Sequence, residues 1–89
     1  MPTVHLLISG KVQGVFYRAS ARHKAEELGL NGWIKNTTDN NVEATVSGTP
    51  EAVESFIAWC WQGPQRAEVI NVAVTPKPDD GFTGFQVIR

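Results

Sequence analysis

The chain contains one cysteine, Cys60. That excludes an internal disulfide framework and any multi-cysteine metal site. Charge of one sign is also lacking: eight Lys and Arg stand against nine Asp and Glu, a net charge of −1, and neither sign forms a block. A general nucleic-acid binder needs a basic surface to displace phosphate counterions, so no nucleic-acid partner is expected. The first residues, Met1-Pro2-Thr3-Val4-His5, have no basic segment followed by a long apolar run, and the longest apolar stretches fall far short of a membrane span. No signal peptide and no membrane partner are expected, and a reducing, cytoplasmic compartment is the default. With 89 residues and no linker, repeat or low-complexity segment, residues 1–89 should form one domain.

The residues that are present alternate between two periods. Val4, Leu6 and Ile8 alternate with His5, Leu7 and Ser9, which reads as a strand. From about Phe16 to Leu28 the period lengthens. Ala21, Ala25 and Leu28 fall on one helical face, Arg22, His23, Lys24, Glu26 and Glu27 face away, and Gly29 suits the residue after the helix. Leu30 to Asn36 suits a strand, Thr37-Thr38-Asp39-Asn40 a turn, and Val42 to Ser47 a second strand pairing back as a hairpin. Thr49, Pro50 and Glu51 announce a helix whose apolar stripe is Val53, Phe56, Ile57 and Cys60, and Gly63-Pro64 stops it. Ala67 to Thr75 and Phe85 to Ile88 complete the strands. The order is the split βαβ, ferredoxin-like α+β pattern, βαββαβ plus a closing strand: two helices on one face of a mainly antiparallel sheet. Regulators, RNA binders and enzymes all use this fold, so it decides no function.

The segment between the first strand and the first helix is Gly10-Lys11-Val12-Gln13-Gly14-Val15-Phe16-Tyr17-Arg18. Two glycines four apart allow left-handed turns and close approach of a ligand. Successive N–H groups can turn inward beside the positive end of a helix, and Arg18 can fork onto two oxygens of a phosphate or carboxylate. On spacing alone, a plain strand-to-helix turn with a solvated arginine competes with this oxyanion cradle. No Lys-Ser or Lys-Thr follows the second glycine and no G-x-G opens the segment, so ATP and dinucleotide loops are disfavoured.

This string closely resembles the phosphate-binding signature of the acylphosphatase family. The family's second motif is also present in Gly32-Trp33-Ile34-Lys35-Asn36, followed by Asp39, Val42 and Glu43. The resemblance spans nearly the whole chain and implies a single acylphosphatase-like domain. It further implies metal-independent hydrolysis of acyl phosphates to a carboxylate and inorganic phosphate, with no cofactor. By the same resemblance the phosphate is held by the loop Gln13, Gly14, Val15, Phe16, Tyr17 and Arg18, with Arg18 and Asn36 catalytic and Asn36 orienting the attacking water. Asn40 stands where the family most often has glycine, and Lys35 where arginine is frequent.

The chemistry of the residues is consistent with that reaction. No Cys, Ser or Asp lies between Gly10 and Arg18 to form a covalent intermediate. Direct attack by water then requires a leaving group that departs without protonation, and the carboxylate of an acyl phosphate is one. Asn36 carries a donor and an acceptor and can orient water without titrating, although a turn-capping asparagine would look the same.

His5 and His23 are expected on the surface without catalytic roles, and Cys60 in the core. Asp79 and Asp80 are expected as a solvated loop pair and Trp61 at the core rim. Trp59, off the apolar stripe, is open to edge packing or to exposure on a contact surface. No residue outside the loop singles out an acyl group, so broad use of small acyl phosphates (acetyl phosphate, carbamoyl phosphate, 1,3-bisphosphoglycerate) by a monomer is expected. The rival reading is a non-catalytic ferredoxin-like module that binds an anion or other ligand. An RNA-binding version would need basic, aromatic-rich strands, which Val42–Ser47 and Ala67–Thr75 lack.

Overall fold

Seven elements appear in the expected order in the computed structural model, which describes residues 2–78, 81 and 83–88. They are β1 (Thr3–Lys11), α1 (Tyr17–Glu27), β2 (Asn31–Asn36), β3 (Val42–Ser47), α2 (Pro50–Gln62), β4 (Glu68–Lys77) and β5 (Phe85–Ile88). The sheet order is β4-β1-β3-β2-β5. The β1–β3, β1–β4 and β2–β3 pairs are antiparallel, and β5 joins the β2 edge in parallel. This is the ferredoxin-like α+β arrangement. Among the described residues no helix is long and apolar enough to cross a membrane.

Strand alternation sets the core. Leu6 and Ile8 of β1, Ile34 of β2, and Val42, Ala44 and Val46 of β3 are fully buried on the face that meets the helices. Ala21 and Ala25 of α1 and Val53, Phe56 and Cys60 of α2 close the core from the other side. Small residues on α1 let that helix lie close to the sheet. The α2 cap is as its sequence predicts: Thr49 Oγ1 accepts from the Ala52 N–H at 3.2 Å, with Pro50 at the first turn.

Three departures from the sequence reading have physical causes. Strand β1 runs on through Gly10 and Lys11, so Gly10 belongs to the sheet rather than to a ligand loop. It sits at a register shift opposite β4 with φ +128°, and a Cβ there would lie 2.1 Å from the Glu68 carbonyl oxygen. Its glycine is required by a neighbouring strand. The second departure concerns Trp61, expected at the core rim but 49% exposed, whereas Trp59 takes the edge packing open to it, against Tyr17 and Phe56 with ring centroids 5.3 and 6.1 Å away. Third, β4 extends through Pro76 and Lys77, two residues beyond Thr75, where the sequence ends the strand. Asp79 and Asp80 lie outside the described residues.

Candidate active site

Between β1 and α1 the chain makes a short loop whose side chains are mostly engaged away from its centre. Val15 and Tyr17 are buried in the core, and the Tyr17 hydroxyl donates to the Cys60 carbonyl at 2.7 Å. Burial, with a smaller contribution from the Cys60 side chain, pushes the Tyr17 phenol far above its ordinary value, so it stays neutral. The Gln13 amide turns toward the β2–β3 hairpin, where Nε2 donates to the carbonyls of Thr37 at 2.9 Å and Asn41 at 2.7 Å. Neither Gln13 nor Val15 turns its side chain to the cleft, which leaves that part of the loop to backbone.

That backbone is strongly curved. Gly14 has φ +72°, and Phe16, at the N-cap of α1, has φ 62° and ψ 23°. Left-handed residues alternating with ordinary ones turn successive N–H groups toward one side, the geometry of an anion nest. Among the described residues, no turn or cap hydrogen bond to a backbone carbonyl uses an N–H of residues 13 to 18. No side-chain cap covers the start of α1 and no acidic residue lies in its first turn. The positive helix end therefore faces the loop uncompensated.

Arg18 stands in the first turn of α1, half-buried, with Nη1 donating to the Ile88 carbonyl at 3.1 Å. One such bond fixes a corner of a planar group that carries five N–H donors. Asn36, the last residue of β2, lies on the helix-facing side of the sheet, and among the described residues its buried Oδ1 has no hydrogen-bond partner. A buried amide oxygen left without any donor costs on the order of 1–3 kcal/mol. Gly14, Phe16, Tyr17, Arg18 and Asn36 all line one cleft of about 800 Å³. Gln13 and Val15, also expected in the loop, supply no side chain to it.

Residues 4–87 match the Acylphosphatase family. The chain belongs to the acylphosphatase family. An acylphosphatase from Pelotomaculum thermopropionicum is 49% identical over 84 residues, covering 93% of this chain and 91% of its own. One from Methylococcus capsulatus is 48% identical over 90 residues, covering all of this chain and 98% of its own. In three dimensions an acylphosphatase from Coxiella burnetii superposes with a TM-score of 0.94 at 40% identity, covering 98% of this chain and 92% of that one. The chain is accordingly an enzyme that hydrolyses acyl phosphates.

Within that acylphosphatase frame, several cleft residues escaped the sequence reading. Arg22, His23 and Glu26, which the helical pattern turns toward solvent, also line the cleft, as does Val87 of β5. The amphipathic period separates a buried face from the rest of a helix, but it does not say which part of the rest borders a cavity. His5, expected as a plain surface residue, is half-buried on the sheet face away from the cleft, with Nε2 3.0 Å from Glu43 Oε2. Cys60 is buried, and burial pushes its thiol up to about 12 against the weaker opposing effect of the Tyr17 contact. It takes no part in the site.

Proposed function

We propose that the phosphate of the substrate sits among the N–H groups of the Gln13–Arg18 loop and the Arg18 guanidinium, with Asn36 holding the attacking water. The observation that carries this reading is the shared cleft that both Arg18 and Asn36 line. The water oxygen bonds to phosphorus as the bond from phosphorus to the acyl oxygen breaks. The electron pair of that bond leaves on the carboxylate and the water's proton passes to solvent. Little covalent assistance is needed, because phosphoryl transfer through a loose transition state asks for positioning and for charge stabilisation on the equatorial oxygens. Inward amides and one guanidinium supply both, and the role requires no metal.

A monomer suffices for this reading, since loop, arginine and asparagine come from one chain, and a cytoplasmic setting would supply small phosphorylated substrates. The test is hydrolysis of benzoyl phosphate with and without EDTA. Turnover should be indifferent to EDTA and competitively inhibited by inorganic phosphate. Arg18→Ala should lower kcat/KM by a factor corresponding to about 3–4 kcal/mol, the usual loss for a focused transition-state donor. Turnover that survives Arg18→Ala undiminished would remove Arg18 from the mechanism.

A further inference from the structure

The cleft is far larger than a phosphate. Its volume is about 800 Å³, and its wall continues along α1 past Arg18 to Arg22, His23 and Glu26. Arg18, Arg22 and Glu26 are spaced at i, i+4 and i+8 and so share a helix face, each about 6 Å beyond the last. Arg22 is thus a second guanidinium, roughly one turn from the first, opening on the same space.

The local partner of Arg22 holds it weakly. Its Nε lies 3.6 Å from Glu26 Oε2, beyond hydrogen-bond length, and the two side chains are 54% and 55% exposed. Exposed pairs of this kind contribute little, so Arg22 can exchange Glu26 for another carboxylate at small cost. Two guanidinium groups against one carboxylate leave this wall positive, and a concave surface focuses that potential on whatever enters.

We propose that Arg22 forms a second anion subsite, and that the enzyme favours acyl phosphates whose acyl group carries an anionic group of its own. The inference rests on the reading in which Arg18 holds the transferred phosphate, because that fixes which end of the substrate reaches Arg22. A carboxylate or second phosphate carried a few bonds beyond the acyl carbon extends along α1 toward Arg22. A small neutral acyl group leaves Arg22 unused. The broad specificity expected from the loop alone is then narrowed by a residue outside it.

The experiment compares benzoyl phosphate with 4-carboxybenzoyl phosphate, a rigid pair differing by one carboxylate, in the wild-type chain and in Arg22→Gln and Arg22→Lys. In Arg22→Gln the ratio of kcat/KM for the carboxylated over the plain substrate should fall roughly three- to tenfold, mainly through KM. Arg22→Lys should recover much of it, since Lys keeps the charge and loses only the fork. Glu26→Gln should raise the ratio, and added salt should lower it in the wild type. An unchanged ratio in Arg22→Gln overturns the subsite while leaving the hydrolytic reading intact. A wild-type chain that hydrolyses neither compound overturns the hydrolytic reading and the subsite with it.

Discussion

Gln13 donates its side-chain Nε2 to the Asn41 carbonyl across 2.7 Å, tying the β1–α1 loop to the hairpin turn that follows Asn36. The same nitrogen reaches the Thr37 carbonyl at 2.9 Å, and the turn is closed by the Thr37 N–H on the Asn41 carbonyl at 2.9 Å. One amide therefore sets the distance between the two halves of the proposed site, the loop assigned to phosphate and the strand end assigned to water in that proposal.

Gln13→Leu keeps the volume and removes both bonds. It should cost about 1–2 kcal/mol of stability, because two partly buried carbonyls lose a donor. Turnover should fall at least about tenfold, since small displacements between reacting groups are amplified in rate. Urea unfolding with an unchanged m-value, set beside kcat on benzoyl phosphate, measures the two effects separately. A loss of stability with full kcat would show that the clamp is structural only.

Asn36 should behave in the opposite sense. Its Oδ1 is buried and no protein donor among the described residues reaches it, so the amide oxygen adds no hydrogen bond to the hairpin. Asn36→Leu should leave the unfolding free energy unchanged or raise it by up to about 1 kcal/mol, because the unsatisfied group is removed at similar volume. The same substitution should lower kcat by a factor of about 100 or more, in line with loss of a positioned catalytic amide. Thermal unfolding and a kcat measurement on one preparation settle both. A strongly destabilised variant would mean that the amide is holding the hairpin.

The order of the elements and the core faces were legible because period 2, period 3.6, Thr49-Pro50 and Gly63-Pro64 are written in residue types. The Gln13 clamp was not, because its partners are carbonyls of Thr37 and Asn41, which every residue possesses. Phe16 at φ 62° was not either: an aromatic residue is a poor candidate for the left-handed region, and tertiary context overrides that preference at the head of α1. Asn40, at φ 70°, was legible in the turn because asparagine tolerates that conformation. The pairing of Trp59 with Tyr17 depends on how α2 crosses the start of α1, which helix periodicity alone does not specify.

Gly10, in the sheet, and Gly14, in the loop, should separate in the same physical terms. An alanine Cβ at Gly10 would lie 2.1 Å from the Glu68 carbonyl oxygen and 2.9 Å from the Ile70 nitrogen, both backbone atoms of the adjoining β4. Gly10→Ala should therefore cost more than about 3 kcal/mol, by forcing strands apart at a position with φ +128°. At Gly14 a Cβ would meet nothing within 4 Å, and only the left-handed conformation is penalised. Gly14→Ala should cost about 1–2 kcal/mol and remain folded. Chemical denaturation of the two variants side by side checks the ranking, and equal losses would contradict it.

The face of the sheet away from the helices carries the pH dependence. Alternation and register put His5, Lys35 and Glu43 there, with His5 Nε2 3.0 Å from Glu43 Oε2 and Lys35 Nζ 3.2 Å from Glu43 Oε1. The His5 contact, helped by Lys35, holds the Glu43 carboxyl below its ordinary 4.5 against the opposing effect of partial burial. Because the folded value is the lower one, the ionised carboxylate adds stability that is fully present above the unfolded value. That stability is lost as pH falls below about 4.5 and through the folded value. The unfolding free energy, measured in urea between about pH 3 and pH 7, should decline on the acid side, and Glu43→Gln should flatten part of that decline. Turnover of benzoyl phosphate at neutral pH should be unaffected by the substitution, since the cluster and the cleft lie on opposite faces of the sheet. An acid-side decline that is identical in Glu43→Gln would place its origin in other carboxylates.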